Sequence, residues 1–412
     1  MTSRRKQPHT EESGVWTTMG NGRWEMGNAE MRTACSESHG PGSNGPERGD
    51  ADESSKTSST SMNRRQALIS LTAGGVAMAL HTLPAAETRR TRLGVVIYGL
   101  GIHQKHDWAG RHQGLSPALA FLEECHRFGA GGIQFQLGPK DKPHLQELRQ
   151  RAERHEMYFE AIISPPTDAD DVSRFEEEVR LAKEAGARVA RTVIIPGRRY
   201  EQFKTLTEFR EYEKRGLKSL QLAEPVVARH RLRFAVENHK DQLIAEKLET
   251  LRRVGSEWIG LCVDVGNNLA LMEDPLETVR AFAPYALTVH LKDMALREYA
   301  DGWLLADVAL GDGLFDLRRM VEVLRAANPA VKFNYETITR DALKVPVNTE
   351  PYWATLPGPR TEALKRIAAI ARSKPDVRFP DDISRLSIEQ QVEAERRNVE
   401  RSLAYASEHL AL

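Results

Sequence analysis

The chain has 412 residues, 40% of them hydrophobic, so it is long enough for one large domain or two to three small ones and can bury a sizeable core. Lys and Arg together number 58, as do Asp and Glu, and this zero formal charge lacks the basic excess expected of a nucleic-acid partner. The cysteines Cys35, Cys125 and Cys262 are too few and too scattered for a disulfide framework or a zinc ribbon.

Residues 1–61 are rich in Gly, Ser, Thr, Asn and charge and show no apolar periodicity. Such a segment cannot bury enough apolar surface to offset the entropy of ordering, so it reads as a disordered extension. A start at Met62 would leave it out of the product. In residues 62–86 the pair Arg64-Arg65 precedes an apolar run from Ala67 to Leu80, followed by small residues around Ala85 and Ala86. This is the order of a secretory signal, and the arginine pair resembles a twin-arginine signal. It predicts an exported protein, periplasmic or extracellular, or a cytoplasmic one if the signal is not used. The run is too short for a comfortable membrane span, and no other run reaches that length.

From residue 92 short Val/Ile/Leu-rich runs alternate with longer stretches of helical period. The strand candidates are LGVVIYG from Leu93, GIQFQLG from Gly132, YFEAIIS from Tyr158, VARTVII from Val189, LRFAVEN from Leu232, IGLCVDV from Ile259, ALTVHLK from Ala286 and KFNYETI from Lys332. Between them lie segments such as PALAFLEECHRFG and DVSRFEEEVRLAKEAGA, and Gly129, Gly186 and Gly255 serve as helix stops. Strands alternating with helices predict parallel βαβ units, and eight of them match a (β/α)₈ TIM barrel, here placed over 92–373. A doubly wound sheet is the alternative, weakened by the lack of G-x-G-x-x-G after an early strand. Residues 374–412 form a charged helical tail that docks on the barrel or on a second subunit, so a homo-oligomer stays open.

Strand residues alternate between two faces, and in a barrel one face looks into the lumen. The fifth strand candidate puts Phe234 and Val236 on one face and Ala235, Glu237 and His239 on the other. The sixth opposes Leu261, Val263 and Val265 to Cys262, Asp264 and Gly266; the seventh, Leu287, Val289 and Leu291 to Thr288, His290 and Lys292; the eighth, Phe333 and Tyr335 to Asn334, Glu336 and Ile338. Each second face carries one metal-competent group near the strand's C-terminal end: Glu237, Asp264, His290 and Glu336. Barrel active sites are built at that end. Three carboxylates converging without a cation would repel one another, and a divalent ion resolves this. Three carboxylates and one imidazole suit Mn²⁺, Mg²⁺, Co²⁺ or Zn²⁺.

The stretches VENH, CVDVGN, VHLKD and NYETI, in this order, resemble the xylose-isomerase-like TIM barrel superfamily, in its sugar phosphate isomerase/epimerase branch, over about residues 92–340. The resemblance implies one divalent ion, often Mn²⁺, held by Glu237, Asp264, His290 and Glu336. It also implies that Glu237 and Glu336 are the acid/base pair and that the substrate is a small sugar or keto-sugar. Asn267 stands where many ketose epimerases have a histidine, so it can bond a hydroxyl but not shuttle a proton. The apurinic endonucleases of the superfamily need further histidines after the second and third strands, where QFQLGPK and AIISPPT have none. His239, Asn267, Lys292, Trp303 and Arg340 are the substrate-binding candidates, with Lys344 and Trp353 as further covers of the mouth. The expectation is a metal-dependent isomerase or epimerase working by proton abstraction beside a carbonyl. A keto-sugar dehydratase or lyase, or a non-catalytic sugar-binding barrel, is the alternative.

Overall fold

The computed structural model describes residues 16–18, 24–26, 90–108 and 110–412. In the N-terminal unit Trp16–Thr18 pairs antiparallel with Trp24–Met26, one ordered pairing inside the segment expected to lack structure. The rest of that expectation, and the signal segment 62–86, lie outside the described residues.

In the second unit eight parallel strands close into a barrel. They are β1 (Gly94–Val96), β2 (Gly132–Phe135), β3 (Tyr158–Ile162), β4 (Val189–Thr192), β5 (Arg233–Glu237), β6 (Ile259–Asp264), β7 (Ala286–Leu291) and β8 (Lys332–Tyr335). The eighth pairs with the first, through Asn334 beside Gly94, and with the seventh, through Asn334 beside His290. Each strand feeds a helix: α1 (Pro117–Arg127), α2 (Leu145–Arg154), α3 (Val172–Glu184), α4 (Leu206–His230), α5 (Ile244–Val254), α6 (Pro275–Phe282), α7 (Leu317–Ala327) and α8 (Arg360–Arg372). The chain closes with α9 (Ile388–His409).

Local chemistry explains the boundaries. Ser116 caps α1 ahead of Pro117, Thr205 and Glu208 form a capping box on α4, and Asp274 caps α6. The expected stops Gly129, Gly186 and Gly255 all sit at positive φ, where glycine carries no Cβ penalty. Two candidate strands run shorter than expected. After Val96 the first turns into a 3₁₀ segment, Ile97–Leu100, and a short helix, Gly101–His106; the fourth stops at Thr192.

The outward strand residues Phe234, Leu261, Val263, Val289 and Phe333 pack under the helices in one continuous core. The inward faces are unusually polar. Gln134, Glu160, Arg191, Thr288 and Asn334 are all buried in the lumen beneath the C-terminal mouth. The tail docks on this same barrel. Glu395 of α9 accepts the backbone N–H groups of Ile102 and His103 at 3.0 and 2.7 Å, and Ser402 accepts that of Leu310 at 3.0 Å. Among the described residues no helix is long and apolar enough to cross a membrane.

Candidate metal centre

Parallel register carries the site. Asp264 of β6 stands beside His290 of β7, and His290 beside Asn334 of β8; Glu336 follows two residues later on the same face. Glu237 ends β5 beside Cys262. Glu237, Asp264, His290 and Glu336 each offer one ligand atom, and these atoms all lie within 4.8 Å of one another, all buried.

Two of those side chains keep an atom without a hydrogen bond. Asp264 Oδ2 and His290 Nδ1 are buried in the cluster and have no hydrogen-bond partner, although Asp264 Oδ2 lies 2.8 Å from Lys292 Nζ. The other nitrogen of His290, Nε2, lies 2.8 Å from Gln134 Oε1, and Gln134 Nε2 donates to Glu160 Oε2 at 3.0 Å. That chain makes Nε2 a donor and turns Nδ1 to the carboxylates, 3.1 Å from Glu336 and 3.4 Å from Glu237; burial pushes the ring down, but Cys262, Glu336 and Glu237 more than reverse this and raise it well above its usual range. Carboxylates closing on one imidazole edge draw positive charge to that spot, a proton on Nδ1 or a divalent ion in its place, so the donor set fits a divalent ion.

Positive side chains surround the cluster. Arg191 of β4 grips Glu237, with Nε at 2.6 Å from Oε2. Burial pushes the Glu237 carboxyl up, but Arg191 more than reverses this and holds it well below the usual carboxylate range. Lys292 Nζ bridges Asp264 and Glu336, 2.8 and 2.9 Å away. Burial nevertheless leaves Asp264 raised to about 7, with Lys292 opposing and Glu336 and Glu237 adding to the rise. Asn267 donates to Glu237 Oε1 at 3.0 Å, while its own oxygen accepts from Lys240 Nζ. Burial, reinforced by Lys292, lowers Lys240 to about 8. Asn238 pairs with the backbone N–H and C=O of Asp264, both at 2.8 Å, and so fixes the loop after β5 to the end of β6.

Of the substrate candidates, Asn267 and Lys292 therefore touch the cluster directly. His239 lies near the cluster and bonds the loop after β4: its Nδ1 lies 3.3 Å from the carbonyl oxygen of Ile195, and burial pushes its ring down to about 3 against the pull of Glu237. The loop after β7 is a β-hairpin, Asp293–Tyr299 against Gly302–Val308, and Trp303 pairs with Glu298 near its far end. Five residues of strand separate it from Val308, roughly 17 Å at the strand rise. Trp303 packs instead beside Leu343–Val345, the third strand of that small sheet, which also carries the exposed Lys344. Arg340 is also outside the cluster. It is exposed, lies 3.7 Å from Asp307, and lines a cleft of about 1000 Å³ with Lys374 and Arg401. Trp353 is tied by its Nε1 to the Val347 carbonyl at 2.8 Å. Arg191, Lys240, Gln134 and Glu160 were not among the candidates. A charged or amide residue inside an apolar strand was the signal for Arg191, Gln134 and Glu160, visible in VARTVII, GIQFQLG and YFEAIIS; Lys240, in the loop after β5, had no such signal.

Residues 122–368 match the family described as xylose isomerase-like TIM barrel, and the chain belongs to that family. A 3-oxo-isoapionate decarboxylase of Pectobacterium atrosepticum is 24% identical over 216 residues, covering 50% of this chain and 72% of the decarboxylase. The D-psicose 3-epimerase of Clostridium cellulolyticum H10, solved with D-tagatose, aligns with a TM-score of 0.50 at 11% identity over 77% of this chain and 98% of the epimerase. A xylose isomerase-like TIM barrel protein from Mycobacterium smegmatis in complex with magnesium aligns with a TM-score of 0.44 at 14% identity, over 68% of this chain and 97% of its own. At these identities the structural likeness speaks for the fold alone.

Proposed function

We propose that the protein is a divalent-metal-dependent enzyme that moves a proton beside the carbonyl of a small sugar or keto-sugar, as an isomerase or epimerase. The observation that carries this reading is the convergence of four buried ligand atoms within 4.8 Å of one another. Glu237, Asp264, His290 and Glu336 would hold the ion, Mn²⁺ in preference to Mg²⁺, Co²⁺ or Zn²⁺. Such an ion supplies Lewis-acid polarisation of a substrate carbonyl.

The chain's own groups then divide the work. Glu336, at the mouth end of the cluster, takes the proton from the carbon beside the carbonyl. Lys292, next to it, offsets negative charge that develops on substrate oxygen. Glu237 reaches the substrate from the β5 side, but Arg191 holds it ionised. Returning a proton from Glu237 requires that Arg191 move off it, so the resting arrangement suits a one-base route through Glu336. Burial of all these groups excludes water from the reacting carbon.

A lyase reading is favoured by the same two features. Asn267 cannot carry a proton and Arg191 grips Glu237, which leaves Glu336, paired with Lys292 at 2.9 Å, as the single carboxylate for an elimination or a decarboxylation. The decarboxylase relative acts in that class by its name. One experiment separates the readings. The enzyme is incubated in D₂O with a panel of keto-sugars, and substrate and product are analysed for deuterium beside the carbonyl. Exchange without loss of carbon or water supports the isomerase; loss of CO₂ or water supports the lyase. Glu336→Gln retains metal and loses turnover by about 10²–10⁴-fold. Turnover with no solvent deuterium in either compound would remove the proton-transfer mechanism, and tight metal retention with no exchange on any keto-sugar would favour a binding protein.

Export by the twin-arginine route is a second part of the proposal and rests on residues 62–86. Replacing Arg64 and Arg65 by Lys leaves the protein in the cytoplasm if the pair is read as a signal; unchanged export would end that claim.

A further inference from the structure

The centre holds a cation that its carboxylates do not use. Three buried carboxylates, Glu237, Asp264 and Glu336, stand against three buried cationic side chains, Arg191, Lys240 and Lys292. Arg191 belongs to Glu237, and Lys292 to Asp264 and Glu336. Lys240 belongs to neither. Among the described residues its ammonium bonds the neutral Asn267 Oδ1 and forms no salt bridge. Lys292 Nζ approaches that same oxygen at 3.5 Å. Two ammonium groups aimed at one amide oxygen repel in a buried site, and an unpaired buried charge is expensive.

The backbone adds an independent sign. Lys240 sits at φ 58, in the left-handed region that a lysine rarely adopts, directly after the strand that ends in Glu237. Such conformations persist where the surroundings impose them and cluster at ligand sites. The conformation turns a long cationic side chain back to Asn267, itself bonded to Glu237.

We propose that Lys240, with Lys292, seats a carboxylate of the substrate, so that the substrate is a polyhydroxylated acid or keto acid and not a neutral sugar. The proposal rests on the metal reading above. With Glu160 beneath them counted as a fourth carboxylate, a divalent ion added to these groups leaves the centre net positive by about one charge, which a neutral sugar does not offset and an anionic one does. A carboxylate fits the spot better than a phosphate. Phosphate seats draw on runs of free backbone N–H groups, and here those of Gly266 and Asn267 are already committed to Asp264 Oδ1, at 2.9 and 2.8 Å.

The test uses the full chain loaded with Mn²⁺ and follows ligand binding by water-proton relaxation. The probes are L-threonate, its neutral amide threonamide, the polyol L-threitol, and the phosphate monoester of threitol. We expect threonate to bind at least about tenfold tighter than threonamide or threitol, the size of one charge-assisted hydrogen bond. Lys240→Gln should remove that preference while leaving Mn²⁺ and threitol binding unchanged, and Lys240→Arg should restore most of it. Equal binding of threonate and threonamide by wild type would overturn the proposal without any variant. So would a threonate preference that persists in Lys240→Gln, because a hydroxy acid can also be held by the ion alone. Tighter, Lys240-dependent binding of the phosphate ester would overturn the carboxylate assignment. A failure to bind Mn²⁺ would count against the metal reading alone; thermal shift of the metal-free protein with threonate and threonamide would then decide the seat.

Discussion

Glu160 sits under the metal centre with three donors crowded on one oxygen. Gln134, Thr288 and Asn334 all bond Oε2, at 3.0, 2.8 and 3.0 Å, while Oε1 has no partner. Burial raises this carboxyl above its ordinary value against those three bonds. A carboxyl raised in the fold binds more protons folded than unfolded, so the stability tied to it is present at low pH and is lost as pH rises from about 4 upward. Glu160→Gln keeps one oxygen for the donors and carries no charge. The melting temperature of the variant minus that of wild type should therefore grow more positive from about pH 5 to pH 8. A difference that is flat or shrinks with pH would mean that Glu160 is not the buried charge described. At the ligands themselves, Asp264→Ala and His290→Ala should each lower metal affinity by at least about 10–100-fold, the loss that even indirect partners produce. Chelation should lower the wild-type melting temperature and leave that of either variant nearly unchanged, because a ligand that binds only the folded state stabilises it by mass action.

The hairpin after β7 shows how one carboxylate organises an element. Asp293, three residues beyond His290, accepts the backbone N–H groups of Met294, Gly311, Gly313 and Phe315 at 2.9, 3.1, 3.0 and 3.0 Å. It ties the start of the hairpin to the loop that leaves it. The loop can approach so closely because residue 313 is glycine: a Cβ there would run into the Asp293 carboxylate. Asp293→Ala leaves four backbone donors without their acceptor and should cost about 2–4 kcal/mol. Gly313→Ala should also destabilise, by displacing the same carboxylate. Urea melts of the two variants check this, and a cost under about 0.5 kcal/mol for Asp293→Ala would show that water replaces the carboxylate freely.

Across the whole molecule, α9 joins the end of the chain to its first barrel segment. The buried Glu395 carboxylate bonds the backbone of Ile102 and His103, and His103 Nδ1 lies 2.9 Å from it. The segment held this way follows β1 directly, beyond Tyr98, whose ring centroid is 6.0 Å from Arg191. Removing the carboxylate leaves buried donors unpaired. Glu395→Ala should cost about 2–4 kcal/mol and expose Gly101–His106 to proteolysis before the barrel melts. Equal protease resistance of variant and wild type would mean that the tail is a passive cover.

The barrel and the four-residue cluster were legible because both rest on short periods. Alternation along a strand fixes which residues share a face, and parallel neighbours in register bring Asp264 to His290 and His290 to the strand of Glu336 without further information. Gln134, Glu160 and Arg191 were legible in principle as polar residues in apolar strands, but their partners lie across the lumen, up to 174 residues away in the case of Glu160 and Asn334. Local pattern says nothing about such pairs. Lys240 was less legible still, since its position depends on a left-handed turn and on Asn267 from the next loop. The surroundings of Trp303 and Arg340 were illegible for the same reason. Residues in long loops go where hydrogen bonds from distant segments hold them, and here Asp293 and the small three-stranded sheet set the place of Trp303. The sequence by itself determined the strand order, the inward set and the chemistry of the four side chains that converge there. Tertiary structure alone decided which cations face them, because charge balance in a buried site is a property of all the strands and loops that meet there.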